Sequence, residues 1–181
     1  MTLLDPTRSL LFVVDVQERL APAIDGAAAV IARTRILLEA AARLGVPVMA
    51  SEQYPQGLGH SDARLEPLLE GAEVLPKLAF SATRDPAIAA RLQERGRDQI
   101  VVTGMETHVC VLQTALGLKE AGYQVAVVAD AVGSRLPERK ALGLERMRAE
   151  GITIVDSEMV LFEWLGAAGT PVFKDLSRLI R

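Results

Sequence analysis

The chain has 181 residues, half of them hydrophobic and only 4% aromatic, with a formal net charge of −3. That length carries one domain with a substantial core, built from Ala, Val, Leu and Ile rather than from rings. The acidic balance, with Lys and Arg scattered, excludes a broad nucleic-acid surface, and the single cysteine excludes an intrachain disulfide.

The segment from Met1 to Arg8 carries Asp5 and lacks a basic stretch leading into a long apolar one, so no signal peptide is expected. Residues 10–14 are apolar on both faces, as in a buried strand, and are far too few to cross a bilayer. No membrane association is expected, and a cytoplasmic location is the default. An Ala/Leu-rich helix follows over 26–44, with Gly45 as its stop, and then a strand over 46–50. Residues 52–61, with Pro55, Gly57 and Gly59, read as an irregular loop. A short helix is expected over 64–69, and a short strand starts at Val74 and ends near Lys77. Asp85-Pro86 opens the next helix, which Gly96 closes. A strand over 100–103, a helix over 110–121, a strand over 125–129, a helix over 137–150 and a strand over 152–155 complete the alternation. Ser157 is expected to cap a helix through 165, and a last turn is expected around 176–180.

Strand–helix alternation of this kind implies an α/β fold: a three-layer α/β/α arrangement around a six-stranded, mostly parallel, doubly wound sheet. No repeat or linker divides the chain, so one domain over 1–181 is expected. The first strand is not followed by a Gly-rich turn, which argues against a dinucleotide-binding domain.

In an open parallel sheet, ligands bind beyond the carboxyl ends of the strands, so the polar residues there carry the functional reading. Asp15 follows the first strand, Glu52 and Gln53 the second, Lys77 the third, Cys110 the turn after the fourth, and Asp130 the fifth. At a helix N-terminus the dipole lowers a cysteine pKa, and a nearby ammonium lowers it further. Equally, a lone cysteine is often a small buried hydrophobe. Asp15 reads either as a turn cap or as a buried carboxylate needing a partner, and Lys77 either as a surface lysine or as that partner. A carboxylate, an ammonium and a thiol meeting at one sheet edge would form a nucleophile, a base and an electrostatic stabiliser.

Three segments carry a resemblance. Residues 11–17 (Leu-Phe-Val-Val-Asp-Val-Gln), 76–81 (Pro-Lys-Leu-Ala-Phe-Ser) and 102–111 (Val-Thr-Gly-Met-Glu-Thr-His-Val-Cys-Val) resemble the isochorismatase-like cysteine hydrolase superfamily. Residues 129–135 look like a further family segment. Residues 51–59 are most similar to the subgroup called isochorismatase domain-containing proteins.

The resemblance implies a cysteine hydrolase acting on an amide, ureido or related C–N bond of a small metabolite. Asp15 would take and return the proton, Lys77 would stabilise the thiolate, and Cys110 would attack to give a thioester-type intermediate. It also implies a cis peptide between Met105 and Glu106, with the backbone N–H groups of Glu106 and Cys110 as the oxyanion hole. Relatives are generally homo-oligomers. Glu52, Gln53, Tyr54, Phe80, Thr107 and His108 are candidate pocket residues, though each also reads as ordinary loop or core. Metal-binding relatives carry an Asp-x-His pair where this chain has Glu52-Gln53-Tyr54, so no metal and no cofactor are expected. The alternative is an idle family member serving as a binding or scaffold protein.

Overall fold

In the computed structural model, which describes residues 3–180, β1 (Ser9–Val14) is buried along its whole length. Met1, Thr2 and Arg181, on which the N-terminal and whole-chain expectations partly rest, lie outside the described residues. The side chains of β1 alternate between two cores: Leu11 and Val13 enter one, Leu10, Phe12 and Val14 the other. This is the pattern of a strand covered by helices on both faces, where each fully buried Leu, Val or Phe contributes about 1.5–3 kcal/mol.

Strands β2 (Val48–Gln53) and β4 (Gln99–Met105) flank β1. β3 (Glu73–Lys77) pairs with β2, while β5 (Gln124–Gly133) and β6 (Thr153–Val155) extend the sheet beyond β4. The order of the six strands is β3-β2-β1-β4-β5-β6, and every pairing is parallel. On the first face lie α1 (Ala27–Leu44), α6 (Ser157–Leu165) and α7 (Pro171–Leu176). On the second lie α3 (Pro86–Glu94), α4 (Leu112–Glu120) and α5 (Pro137–Ala149). A single turn, α2 (Pro55–Leu58), follows β2. The chain therefore reverses its winding between β1 and β4, the switch point beyond which a doubly wound sheet binds ligands.

Several boundaries differ from the expectations. β2 runs three residues further than residue 50, because Ser51, Glu52 and Gln53 pair with Leu75, Pro76 and Lys77 of β3. Polarity made these residues look like loop, yet their backbone groups are satisfied by the ladder. The expected loop also contains α2, between Tyr54 at φ 40° and Gly59 at φ 77°. Around 64–69 only a 3₁₀ turn, Glu66–Leu68, forms.

β5 continues to Gly133, with a register shift against β4 between Val102 and Gly104, so Asp130 lies within the strand rather than after it. Its carboxylate accepts the Ser157 N–H at 2.8 Å and hydroxyl at 2.5 Å, tying β5 to the start of α6. Asp156, not Ser157, caps α6, accepting the Met159 N–H at 2.7 Å. The last helix is α7, earlier than expected, with Thr170 as its cap and Pro171 at its first position. Trp164 is core, its indole donating to Ser9 at 3.0 Å, while Phe162 is exposed.

One glycine aligns the functional end of the sheet. Gly104 in β4 has φ 125°, and a β-carbon there would overlap the carbonyl oxygen of Val14, the residue before Asp15. Gly104→Ala is expected to destabilise by roughly 2–4 kcal/mol, combining a disfavoured backbone with a forced separation of β1 and β4. Urea unfolding would measure this, and a wild-type midpoint would refute the tight approach.

Candidate active site

Asp15 is the first residue beyond β1, at φ 53°, a left-handed conformation uncommon outside glycine, Asn and Asp. It is fully buried. Lys77 ends β3, two strands away, and its register partner is Gln53 at the end of β2. The Lys77 side chain passes the end of β2 to bring Nζ within 2.6 Å of Asp15 Oδ2, and neither side chain is exposed. Its ammonium donates further to Gln53 Oε1 at 2.7 Å and to the Phe80 carbonyl at 3.3 Å. Three donors thus meet three acceptors, the condition for keeping a charge buried. The other Asp15 oxygen, Oδ1, accepts the Ser51 hydroxyl at 2.7 Å.

The third member approaches from β4. The peptide between Met105 and Glu106 is cis. A π-helical turn, Thr107–Val111, leads into α4. The Glu106 carbonyl accepts from the Val109 N–H at 3.0 Å and the Val111 N–H at 3.2 Å, passing over Cys110 between them. Wide turns of this kind recur at functional positions of helices. Against the turn packs α5, where a β-carbon on Gly143 would come within 3.1 Å of the His108 Cα.

Cys110 is 6% exposed, and its thiol feels the charges of both Asp15 and Lys77. Burial pushes the Asp15 carboxyl above its ordinary value of 3.8, with Lys77 and Ser51 pulling it back. The thiol is pushed up to about 12 from 9.0, first by burial and then by the Asp15 charge, against the opposing pull of Lys77. The lowered cysteine pKa expected from a helix N-terminus beside an ammonium is therefore reversed. Desolvation and an adjacent carboxylate both disfavour thiolate, and together they outweigh one cation that is already shared with that carboxylate.

The remaining candidates divide. Gln53 lies inside the cluster. Glu106 stands at the start of the turn, its carboxylate accepting the Arg135 backbone N–H at 2.9 Å and Nε at 3.0 Å. His108 faces Ser134, with 3.0 Å between Nδ1 and the hydroxyl, and Thr107 is buried with no partner for its hydroxyl. Glu52 turns to the following loop, meeting the Ser61 N–H at 2.7 Å and His60 Nδ1 at 3.1 Å, and it lines a cavity with His60 and Glu66. Tyr54 and Phe80 are half exposed, at 51% and 54%. A separate cavity touches Lys77, Leu78, Pro55 and Arg84, but the Lys77 ammonium is directed inward to Asp15.

Ser51 escaped the sequence reading, because nothing in a serine at a strand end marks a carboxylate beside it. Gln17, within the 11–17 segment, is buried completely. Among the described residues, no three or more His, Cys, Asp and Glu side chains are grouped to hold a metal ion, and no helix is long and apolar enough to cross a membrane.

A family model for the isochorismatase domain matches residues 9–159, a span that contains Asp15, Lys77 and Cys110. The chain belongs to the isochorismatase family. Isochorismatase domain-containing protein 1 of Salmo salar is 39% identical over 177 residues, 97% of this chain and 62% of that protein. This chain therefore spans less than two thirds of that relative's length. Isochorismatase domain-containing protein 2 of Homo sapiens is 36% identical over 177 residues, covering 97% of this chain and 84% of that protein. Among solved structures, the MAR1 ribonuclease of Caenorhabditis elegans superposes with a TM-score of 0.92 at 36% identity, covering 99% of this chain and 92% of that one. The isochorismatase-domain fold accounts for the parallel six-stranded sheet and its helical layers.

Proposed function

We propose that the protein is a cysteine hydrolase that cleaves an amide, ureido or related C–N bond of a small metabolite. The observation that carries this reading is the fully buried Lys77–Asp15 pair, 2.6 Å apart, whose two charges both bear on the buried Cys110 thiol. A fold rarely retires two charges to its interior without use, since each costs several kcal/mol to desolvate.

The chemistry follows from the charges. At neutral pH the sulfur rests as a thiol, so attack requires Asp15 to accept the Sγ proton as the S–C bond forms. A carboxyl raised above its ordinary value is a better base for that transfer. Lys77 offsets the single negative charge as it passes from the carboxylate to sulfur. The oxyanion forms against the Glu106 and Cys110 backbone N–H groups, each such donor contributing on the order of 10²–10³ in rate. Asp15 then returns the proton to the leaving nitrogen, and a thioester remains. Water attacks it, giving one proton to Asp15 and its hydroxyl to the acyl carbon, and the thiol is released with that proton.

The raised Cys110 value also favours a second reading, a binding or scaffold protein with an inert thiol. Iodoacetamide and mass spectrometry separate the two. Asp15-assisted reaction is expected to alkylate Cys110 at neutral pH, at a rate that falls as acid protonates Asp15, with a midpoint above the ordinary carboxylate value of 3.8. Asp15→Asn should remove that limb. A Cys110 that stays unmodified until strongly alkaline pH, with no turnover of small amides, would overturn the hydrolase. The name of the Caenorhabditis elegans relative adds an RNA oligomer to the substrate panel, although the acidic balance of this chain favours the small molecule.

A further inference from the structure

Between the base and the ammonium runs a second connection that the proposed chemistry does not use. From Asp15 the chain reaches Gln17 in two residues, and Gln17 is buried completely. Its side-chain oxygen accepts the Gln53 N–H at 2.8 Å, and its Nε2 donates to the Gln53 carbonyl at 3.0 Å and the Gly59 carbonyl at 2.7 Å. Gln53 is held at both backbone groups, and its own amide has one orientation. Nε2 donates to the Leu78 carbonyl at 2.8 Å, which leaves Oε1 to accept from Lys77 at 2.7 Å. Lys77 closes the circuit on Asp15 at 2.6 Å.

We propose that Gln53, clamped by Gln17, is a positioning residue that sets where the Lys77 ammonium stands beside Asp15. This rests on the reading of those three residues as the reacting groups. Two features argue against simple filling of space. A neutral acceptor is present where a second carboxylate would fit, so Lys77 is oriented without its charge being divided between two anions. The same glutamine also ties its backbone to the segment that carries Asp15, so a shift of β2 would move base and ammonium together. Without Gln53, one of the three Lys77 N–H donors loses its buried acceptor, and the ammonium is free to turn towards Phe80 or solvent.

The test uses iodoacetamide, so no natural substrate is needed. In Gln53→Met, equal in length but without the amide, Cys110 alkylation at neutral pH is expected to fall on the order of 10- to 100-fold. Gln53→Glu keeps an acceptor for Lys77 and adds an anion near Asp15. It should recover most of the rate above the acid limb and move that limb up by about one pH unit. Thermal unfolding of both variants identifies any loss of fold. Wild-type rates in both variants, or equal losses in both with no movement of the limb, would overturn the positioning role. Asp15→Asn in the same assay separates the two levels. If it changes the rate while the Gln53 variants do not, only the inference fails, and if it leaves the rate unchanged, the reacting trio itself is refuted.

Discussion

In Cys110→Ala, turnover of any amide or ureide that the protein hydrolyses is expected to fall on the order of 10⁴–10⁶-fold, the scale on which removing a nucleophile acts. The side chain is small and lies in a core cluster beside Val111 and Leu112, so its loss should change stability by only about 1 kcal/mol. Steady-state rates and thermal melts measured together would check both halves. The large effect on rate alone follows from the position of Cys110. Asp15 and Lys77 have no bond to make without a sulfur between them and the substrate. Cys110→Ser should rescue little, because an alcohol is far less acidic than a thiol whose own value is already raised to about 12. Turnover surviving in Cys110→Ala would sink the thioester mechanism, whatever the substrate.

The second large effect concerns stability. Lys77→Met is expected to cost about 3–5 kcal/mol, because it leaves Asp15 buried with no cation, facing only the neutral Ser51 hydroxyl and Cys110 thiol. For a chain of this length that lowers Tm by roughly 10 °C. Pairing it with Asp15→Asn should recover much of the loss, since the unbalanced charge disappears along with its partner. The pH dependence has a definite sign. Burial raises Asp15 in the folded state, so the folded protein binds its proton more tightly than the unfolded chain does. Stability from this group is fully present below 3.8 and is lost as pH rises through the higher folded value. Removing Lys77 takes away the main opposing influence, so Lys77→Met should lose stability over a wider pH range than wild type. Urea midpoints measured from acid to neutral pH would read this directly. A single variant as stable as wild type at neutral pH would mean that Asp15 carries no charge there.

How much of this was legible beforehand varies by residue. The apolar run at 10–14 and the β-branched runs at 100–103 and 125–129 announced buried strands, and Gly45 and Gly96 announced the ends of helices. Those signals are local, and the parallel sheet followed from their alternation. The ends of strands were harder to read. Ser51, Glu52 and Gln53 are polar and still belong to β2, and Asp130 is polar and lies inside β5. Pairing with a neighbour extends a strand past the point where hydrophobicity stops, and no single segment records its partner's register.

The candidate site divides along the same line. The amino-acid sequence by itself determined which residue types stand at the carboxyl ends of β1, β3 and β4, because strand ends and helix starts are local properties. Only the tertiary structure decided that Lys77 spans two strands to reach Asp15 and that Glu52 turns away to Ser61. It likewise decided that Gln53 takes a place among the charges. It also reversed the sign of the Cys110 shift. A helix dipole can be anticipated from the sequence, but the depth of burial and a carboxylate ninety-five positions away along the chain cannot. Electrostatic energy depends on distance and on the exclusion of water, and both arise only when the sheet closes.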